Sequence, residues 1–156
     1  MDNKEYLRQK CFYGLEQRGF IEDFEYVKRL NYELDIIFSG NLENFFLVTA
    51  YIVCKLKSQG IQVGLGRGSA AGSLVCYCLK IVEINPIENN LVFERFLNPT
   101  RVASIANPDI DIDIPQDKRQ DILKQIKKDF GETKSYQVIN KLSWTLTVLA
   151  HCSSGS

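Results

Sequence analysis

Two short stretches of this sequence carry residue types suited to chemistry on phosphates. The first, Pro108-Asp109-Ile110-Asp111-Ile112-Asp113, alternates carboxylates with isoleucines. On an extended chain, residues two apart point to the same side and lie roughly 6 to 7 Å apart, so Asp109, Asp111 and Asp113 share one face. At an effective dielectric of about 20, each neighbouring pair repels by roughly 2 to 3 kcal/mol. A hard divalent cation offsets that repulsion directly, and Mg²⁺ commonly takes one or two carboxylates together with substrate phosphate oxygens. The alternative is an acidic strand face solvated over an isoleucine core. A calcium loop matches only its first positions. Where that loop needs a glycine and then a bidentate glutamate, this chain has Ile114 and Gln120.

The second stretch is Gly64-Leu65-Gly66-Arg67-Gly68-Ser69-Ala70-Ala71-Gly72-Ser73, followed by an apolar run from Leu74 to Leu79. Glycines let a backbone approach phosphate closely, the start of a helix offers amide donors and a positive dipole, and Arg67 adds a permanent charge. A triphosphate suits such a segment, and so does a tight turn that lets a helix pack closely. Neither standard nucleotide motif fits. No Gly-Lys-Ser/Thr follows, and Gly66, Gly68 and Gly72 are spaced G-x-G-x-x-x-G. Between the two stretches, Val92-Phe93-Glu94-Arg95-Phe96-Leu97 is expected to place Arg95 among buried neighbours, where it must pair with a carboxylate or meet a phosphate.

The elements that must position these residues follow from periodicity. Leu7, Cys11, Gly14 and Leu15 recur at helical spacing over Lys4 to Arg18, and Gly19 stops that helix. A second helix is expected from Ile21 to about Phe38, with an apolar stripe of Phe24, Val27, Leu30, Leu34 and Ile37 and with Lys28 and Arg29 off that face. Phe45 to Ser58 is so densely apolar that more than one of its faces must be covered, and Gly60 ends it. Ile61-Gln62-Val63 then reads as a short strand, so the glycine loop joins strand to helix. Asn85-Pro86 and Asn98-Pro99 are turns. The acidic stretch is a strand ended by Pro115, Gln116 to Phe130 an amphipathic helix stopped by Gly131, and Tyr136 to Ile139 a further strand. The cations on the later helix, such as Lys118, Arg119 and Lys124, alternate with acidic residues and read as a solvated face.

Composition narrows the classes. A chain of 156 residues with 45% hydrophobic residues suits one globular domain and excludes a large multidomain enzyme within this sequence. Nineteen Lys and Arg balance nineteen Asp and Glu, so a polyanion must be met by a local cluster of cations. No apolar run reaches the length of a membrane span and the first residues are too polar for a signal peptide, so no membrane partner and a cytoplasmic location are expected. The five cysteines (Cys11, Cys54, Cys76, Cys78, Cys152) contain no C-x-x-C and are expected to be buried thiols.

Taken in order, the glycine loop from Gly64 to Ser73, Asn85-Pro86, Phe93 to Pro99, Arg101-Val102 and Pro108 to Asp113 resemble the palm of the bacterial C-family replicative DNA polymerases, the DNA polymerase III alpha family. The similarity runs from about Glu5 to Ile139. It implies an α/β fold: a palm fragment of the polymerase beta-like nucleotidyltransferase type, with helices packed on a small mixed sheet. Residues 1–60 would form its helical N-terminal part, 61–139 the palm core, and 140–156 a divergent tail. By position in the motif, Asp109 and Asp111 match the catalytic metal-binding aspartates, and Asp113 is a third acidic neighbour in the metal set. Gly68 and Ser69 match the pair near the triphosphate, and Arg67 and Arg95 match arginines that hold phosphate oxygens. The implied chemistry is two-metal nucleotidyl transfer, with Mg²⁺, from a deoxynucleotide triphosphate to the primer end of primer-template DNA. Leu65 replaces the family's usual proline, Ile114 its usual phenylalanine, and the connection at 103–107 is longer. The family's third catalytic aspartate has no counterpart here, so this segment is expected to be inactive alone and to need a complementary polymerase fragment or a replisome protein. The competing expectation is a non-catalytic, palm-derived binding module or a decayed remnant.

Overall fold

The computed structural model describes residues 1–102, 108–131 and 145–147. Three long helices come first: α1 (Asn3–Gln17), α2 (Phe24–Ser39) and α3 (Glu43–Ser58). A 3-10 turn at Gly68–Gly72 leads into the short α4 (Leu74–Cys78), and a second such turn covers Phe93–Arg95. The acidic strand is β1 (Asp111–Asp113); a 3-10 turn at Gln116–Lys118 then opens α5 (Arg119–Phe130), and β2 (Thr145–Thr147) follows.

Every residue of α4 is buried, and α1 and α2 pack against it. A Cβ added at Gly14 of α1 would sit 2.0 Å from the Cys78 carbonyl oxygen, so the two helices meet backbone to backbone at that point. Local capping fixes where the helices start. The Asp23 carboxylate accepts from the Glu25 amide at 3.0 Å at the head of α2, and the Ser73 hydroxyl accepts from the Cys76 amide at 3.2 Å at the head of α4. As its composition demands, α3 is covered on two faces. Phe45, Phe46, Ala50 and Val53 join the main core, while Ile52 and Leu56 meet Ile122 of α5 in a smaller cluster.

Several expectations are corrected. The α/β fold with a small mixed sheet is not what the described residues form. They are mostly helical, and their strand content is one antiparallel pair, Asp111 opposite Thr147, Ile112 opposite Leu146 and Asp113 opposite Thr145. Ile61-Gln62-Val63 is not a strand. The Ile61 amide closes back on the Leu56 carbonyl at 3.1 Å, and the backbone bond to β1 comes from the residue after Val63, the Gly64 amide donating to the Asp113 carbonyl. Phe24, placed on the apolar stripe of α2, is 79% exposed because the helix starts there; Tyr26 is buried instead and stacks on Phe20 at 4.1 Å. Cys11, Cys76 and Cys78 are buried thiols, whereas Cys54 is exposed on α3; Cys152 and the strand expected at 136–139 lie outside the described residues. Among the described residues, no single helix is long and apolar enough to cross a membrane.

Candidate functional site

The alternation read from the sequence governs the acidic stretch. Ile110 and Ile112 are buried in the main core, Asp109 is exposed, and Asp111 and Asp113 are half-buried, so the carboxylates share the outward face. The glycine loop lies alongside. The Gly64 amide donates to the Asp113 carbonyl at 3.0 Å, and the loop then turns at Gly68, whose φ of +66° is a left-handed conformation that favours glycine. A Cβ built on Gly68 would sit 3.6 Å from Asp111 Oδ2, so that carboxylate faces the turn carrying Ser69. Arg67, immediately before the turn, forms an ion pair with Asp113, Nε to Oδ1 at 3.2 Å, in which both side chains are about half exposed.

The three aspartates are therefore not equivalent. Among the described residues no three carboxylate, thiol or imidazole groups gather closely together. One physical cause sets Asp113 apart: Arg67 engages it. Asp109 and Asp111 have no hydrogen bond or ion pair with another described side chain.

The glycine turn also lines a cleft of about 390 Å³, walled on one side by Gly68, Ser69 and Gly72 and on the other by Asn90, Val92 and Arg95. The structure thus brings Gly68, Ser69 and Arg95 together and sets Arg67 and Asp111 at the same turn. Arg95 does not sit among buried neighbours as expected. The 3-10 turn at Phe93–Arg95 sends Phe93 inward with Phe96 and Leu97 and leaves Glu94 and Arg95 exposed, so the arginine escapes desolvation. Glu94 is engaged from α2: the Tyr32 hydroxyl donates to it at 2.6 Å and holds its carboxyl below the ordinary carboxylate value.

Two charged groups that support the site escaped the sequence reading. Glu33 of α2 is fully buried and accepts four hydrogen bonds: from Ser73 Oγ at 2.9 Å, the Leu74 amide at 2.9 Å, the Val75 amide at 3.2 Å and Arg29 Nε at 2.7 Å. Burial pushes its carboxyl above the usual value, while Arg29 and the two amides pull it back. The available signal was a charged residue placed on the stripe of Leu30, Leu34 and Ile37, one helical turn after an arginine. The second group is Glu83. Its amide donates to the Leu65 carbonyl at the start of the glycine loop, and its carboxylate pairs with Arg18 at 2.7 Å and Lys57 at 2.9 Å. No periodicity could have found it, since its partners come from the end cap of α1 and from α3.

Comparison with known proteins gives a consistent result. The family model described as the bacterial DNA polymerase III alpha NTPase domain matches residues 5–145. The DNA polymerase III alpha subunit of Ureaplasma parvum is 47% identical over 133 residues, covering 83% of this chain and 13% of that protein. The alpha subunit of Bacillus subtilis is 42% identical over 135 residues (86% of this chain, 12% of the relative), and that of Aquifex aeolicus 41% over 140 (87% and 12%). The chain spans about an eighth of the length of these relatives.

Proposed function

Because this chain belongs to the bacterial DNA polymerase III alpha family, we propose that it is a fragment of a replicative polymerase palm whose glycine turn and acidic strand edge bind a deoxynucleotide triphosphate for transfer to a DNA primer end. The observation that carries this reading is the approach of Asp111 to the Gly68 turn, 3.6 Å from Oδ2 to the position of a Cβ there, beside a cleft that presents Ser69 and Arg95. Phosphate oxygens lying over that turn would meet the Arg67 and Arg95 guanidiniums, which recognise such oxygens in a bidentate manner. Asp111, beside the same turn, and Asp109 would remain available to a cation.

The donor set suits Mg²⁺ in kind: hard carboxylate oxygens, two of them not engaged by another described side chain, leaving further coordination positions to phosphate oxygens and water. Asp109 and Asp111 are the residues proposed to hold it, and when bound it supplies charge neutralisation around the transferred phosphate. Asp113 is assigned to Arg67 in this reading. Primer-template DNA and a complementary polymerase fragment or replisome protein are the proposed partners, and primer extension by the chain alone is not expected.

Isothermal titration with Mg²⁺ and a deoxynucleotide triphosphate tests the proposal on the wild-type chain and on the double variant Asp109→Ala with Asp111→Ala. Heat of binding that disappears in the double variant supports the site. Heat unchanged in the double variant overturns the role of the two aspartates, and no heat in either chain favours a palm-derived binding module.

A further inference from the structure

The two walls of the cleft are about twenty residues apart in sequence, and among the described residues no side-chain hydrogen bond of either wall runs to the other. A third element does. Arg29 of α2 donates through Nη2 to the Gly72 carbonyl at 2.7 Å and to the Leu91 carbonyl at 3.1 Å, one on each wall. Its Nε is held at 2.7 Å by Glu33, which also takes Ser73 Oγ and the amides of Leu74 and Val75. The walls are already as close as backbone allows at that point, since a Cβ on Gly72 would lie 2.6 Å from the Val92 carbonyl oxygen.

We propose that Arg29 and Glu33 form a positioning clamp on α2 that sets the width of the cleft between the Gly68–Gly72 turn and the segment 90–95, and so its affinity for a triphosphate. The consequence for the ligand rests on the nucleotide reading above; the clamp itself does not. Neither residue is placed to touch the ligand. The guanidinium fork is essential because two carbonyls and one carboxylate must be reached at once, which an ammonium on a flexible stem does not do with the same geometry. Glu33 fixes the direction of that fork, and its other oxygen anchors the start of α4 behind the turn.

Arg29→Lys keeps the charge and removes the fork, and it is tested in the full chain by residue-resolved amide hydrogen exchange and by titration with Mg²⁺ and a deoxynucleotide triphosphate. Exchange at the Ser73 and Leu91 amides is expected to speed up by about tenfold, the effect of one lost charge-assisted bond, with α1 and α3 unchanged. Triphosphate affinity is expected to fall by a similar factor, while Val53→Ala, a core variant that lowers the melting temperature at least as much, leaves the affinity unaltered. Exchange that is unchanged, or faster throughout the molecule, overturns the clamp. Localised exchange with unaltered affinity overturns its role in positioning, and so does an equal affinity loss in Val53→Ala. A wild-type chain that gives no heat with the triphosphate sinks the nucleotide reading, whereas exchange confined to the two walls would still uphold the clamp.

Discussion

Glu33 and Asp111 carry the same functional group on either side of the glycine segment in sequence, and the molecule treats them in opposite ways. Glu33 is sealed from water and each of its oxygens accepts two donors. Asp111, with Asp109, lies on an outward edge without a side-chain partner among the described residues, although its neighbours in the strand repel it. A buried charge survives only when its bonds are complete, so Glu33 is bound up with stability. Carboxylates that are left with acceptor capacity and mutual repulsion are a cost to the folded state unless something outside the chain meets them. The buried body around α4 and the glycine-and-acid edge therefore differ in what their charges are for, and substitutions can separate the two.

The largest effect is expected from Glu33→Ala. It leaves the Ser73 hydroxyl and the amides of Leu74 and Val75 without their acceptor in the interior and takes the carboxylate from Arg29, a change expected to cost about 3 to 5 kcal/mol, measured by urea unfolding. Asp109→Ala at the edge is expected to cost no stability, since it removes a carboxylate without a side-chain partner among the described residues and relieves its repulsion with Asp111. Equal losses in the two variants would erase the distinction between the regions.

Next comes Gly14→Ala, which probes the body without touching a charge. The added methyl would lie 2.0 Å from the Cys78 carbonyl oxygen, an atom that cannot turn aside as a side chain could. Forcing α1 away from α4 is expected to cost about 1 to 3 kcal/mol, read as a lowered melting temperature. A neutral result would mean that the two helices can slide apart freely and that the body is less rigid than its burial implies.

The body and the edge were unequally legible in the sequence. The period of two in Asp109 to Asp113 determines which side chains point outward, because that is a property of an extended backbone alone, and the structure has Ile110 and Ile112 inside. Helices α1, α3 and α5 begin and end within a few residues of their expected limits, since periodicity and stop residues act locally. The strand expected at Ile61-Gln62-Val63 failed because a strand needs a partner, and hydrogen-bond partners are decided by tertiary packing. Arg95 failed for a related reason: its apolar neighbours suggested burial on every side, whereas a 3-10 turn sends Phe93, Phe96 and Leu97 to one side and leaves Arg95 on the other. Glu33 stood out in sequence only as a charge on an apolar stripe; its role could not be read there, because it depends on donors some forty residues later in the chain.

A smaller effect, on pH dependence, is expected at Glu83, which links the body to the start of the glycine loop. Burial alone would push its carboxyl up, but the hydrogen bonds and charges of Arg18 and Lys57 outweigh it and hold it below its ordinary value of 4.5. A carboxyl depressed in the folded state contributes stability that is present above the unfolded value and is lost as pH falls through the folded one. Melting temperature should therefore decline as the solution is acidified below about pH 4.5, and the decline should be shallower in Glu83→Gln. Parallel curves for the two chains would show that the three-way contact adds nothing to the anchoring of the loop.

The smallest effect on stability is expected where the comparison is most delicate, at Asp113, which stands on the acidic edge but has a partner. Its ion pair with Arg67 is about half exposed on both sides, and such pairs contribute only about 0 to 1 kcal/mol. Neutralising it also relieves the repulsion from Asp111, so the two changes oppose each other in Asp113→Asn and urea unfolding should show a difference near zero. Affinity for Mg²⁺ with a deoxynucleotide triphosphate should stay within about threefold of wild type if Asp113 serves only to place Arg67, since the guanidinium keeps its charge and its position beside the turn. A loss as deep as that of the Asp109 and Asp111 double variant would instead count Asp113 among the cation ligands. The edge would then hold three working carboxylates, with Arg67 as the group that one of them releases when the ligand arrives.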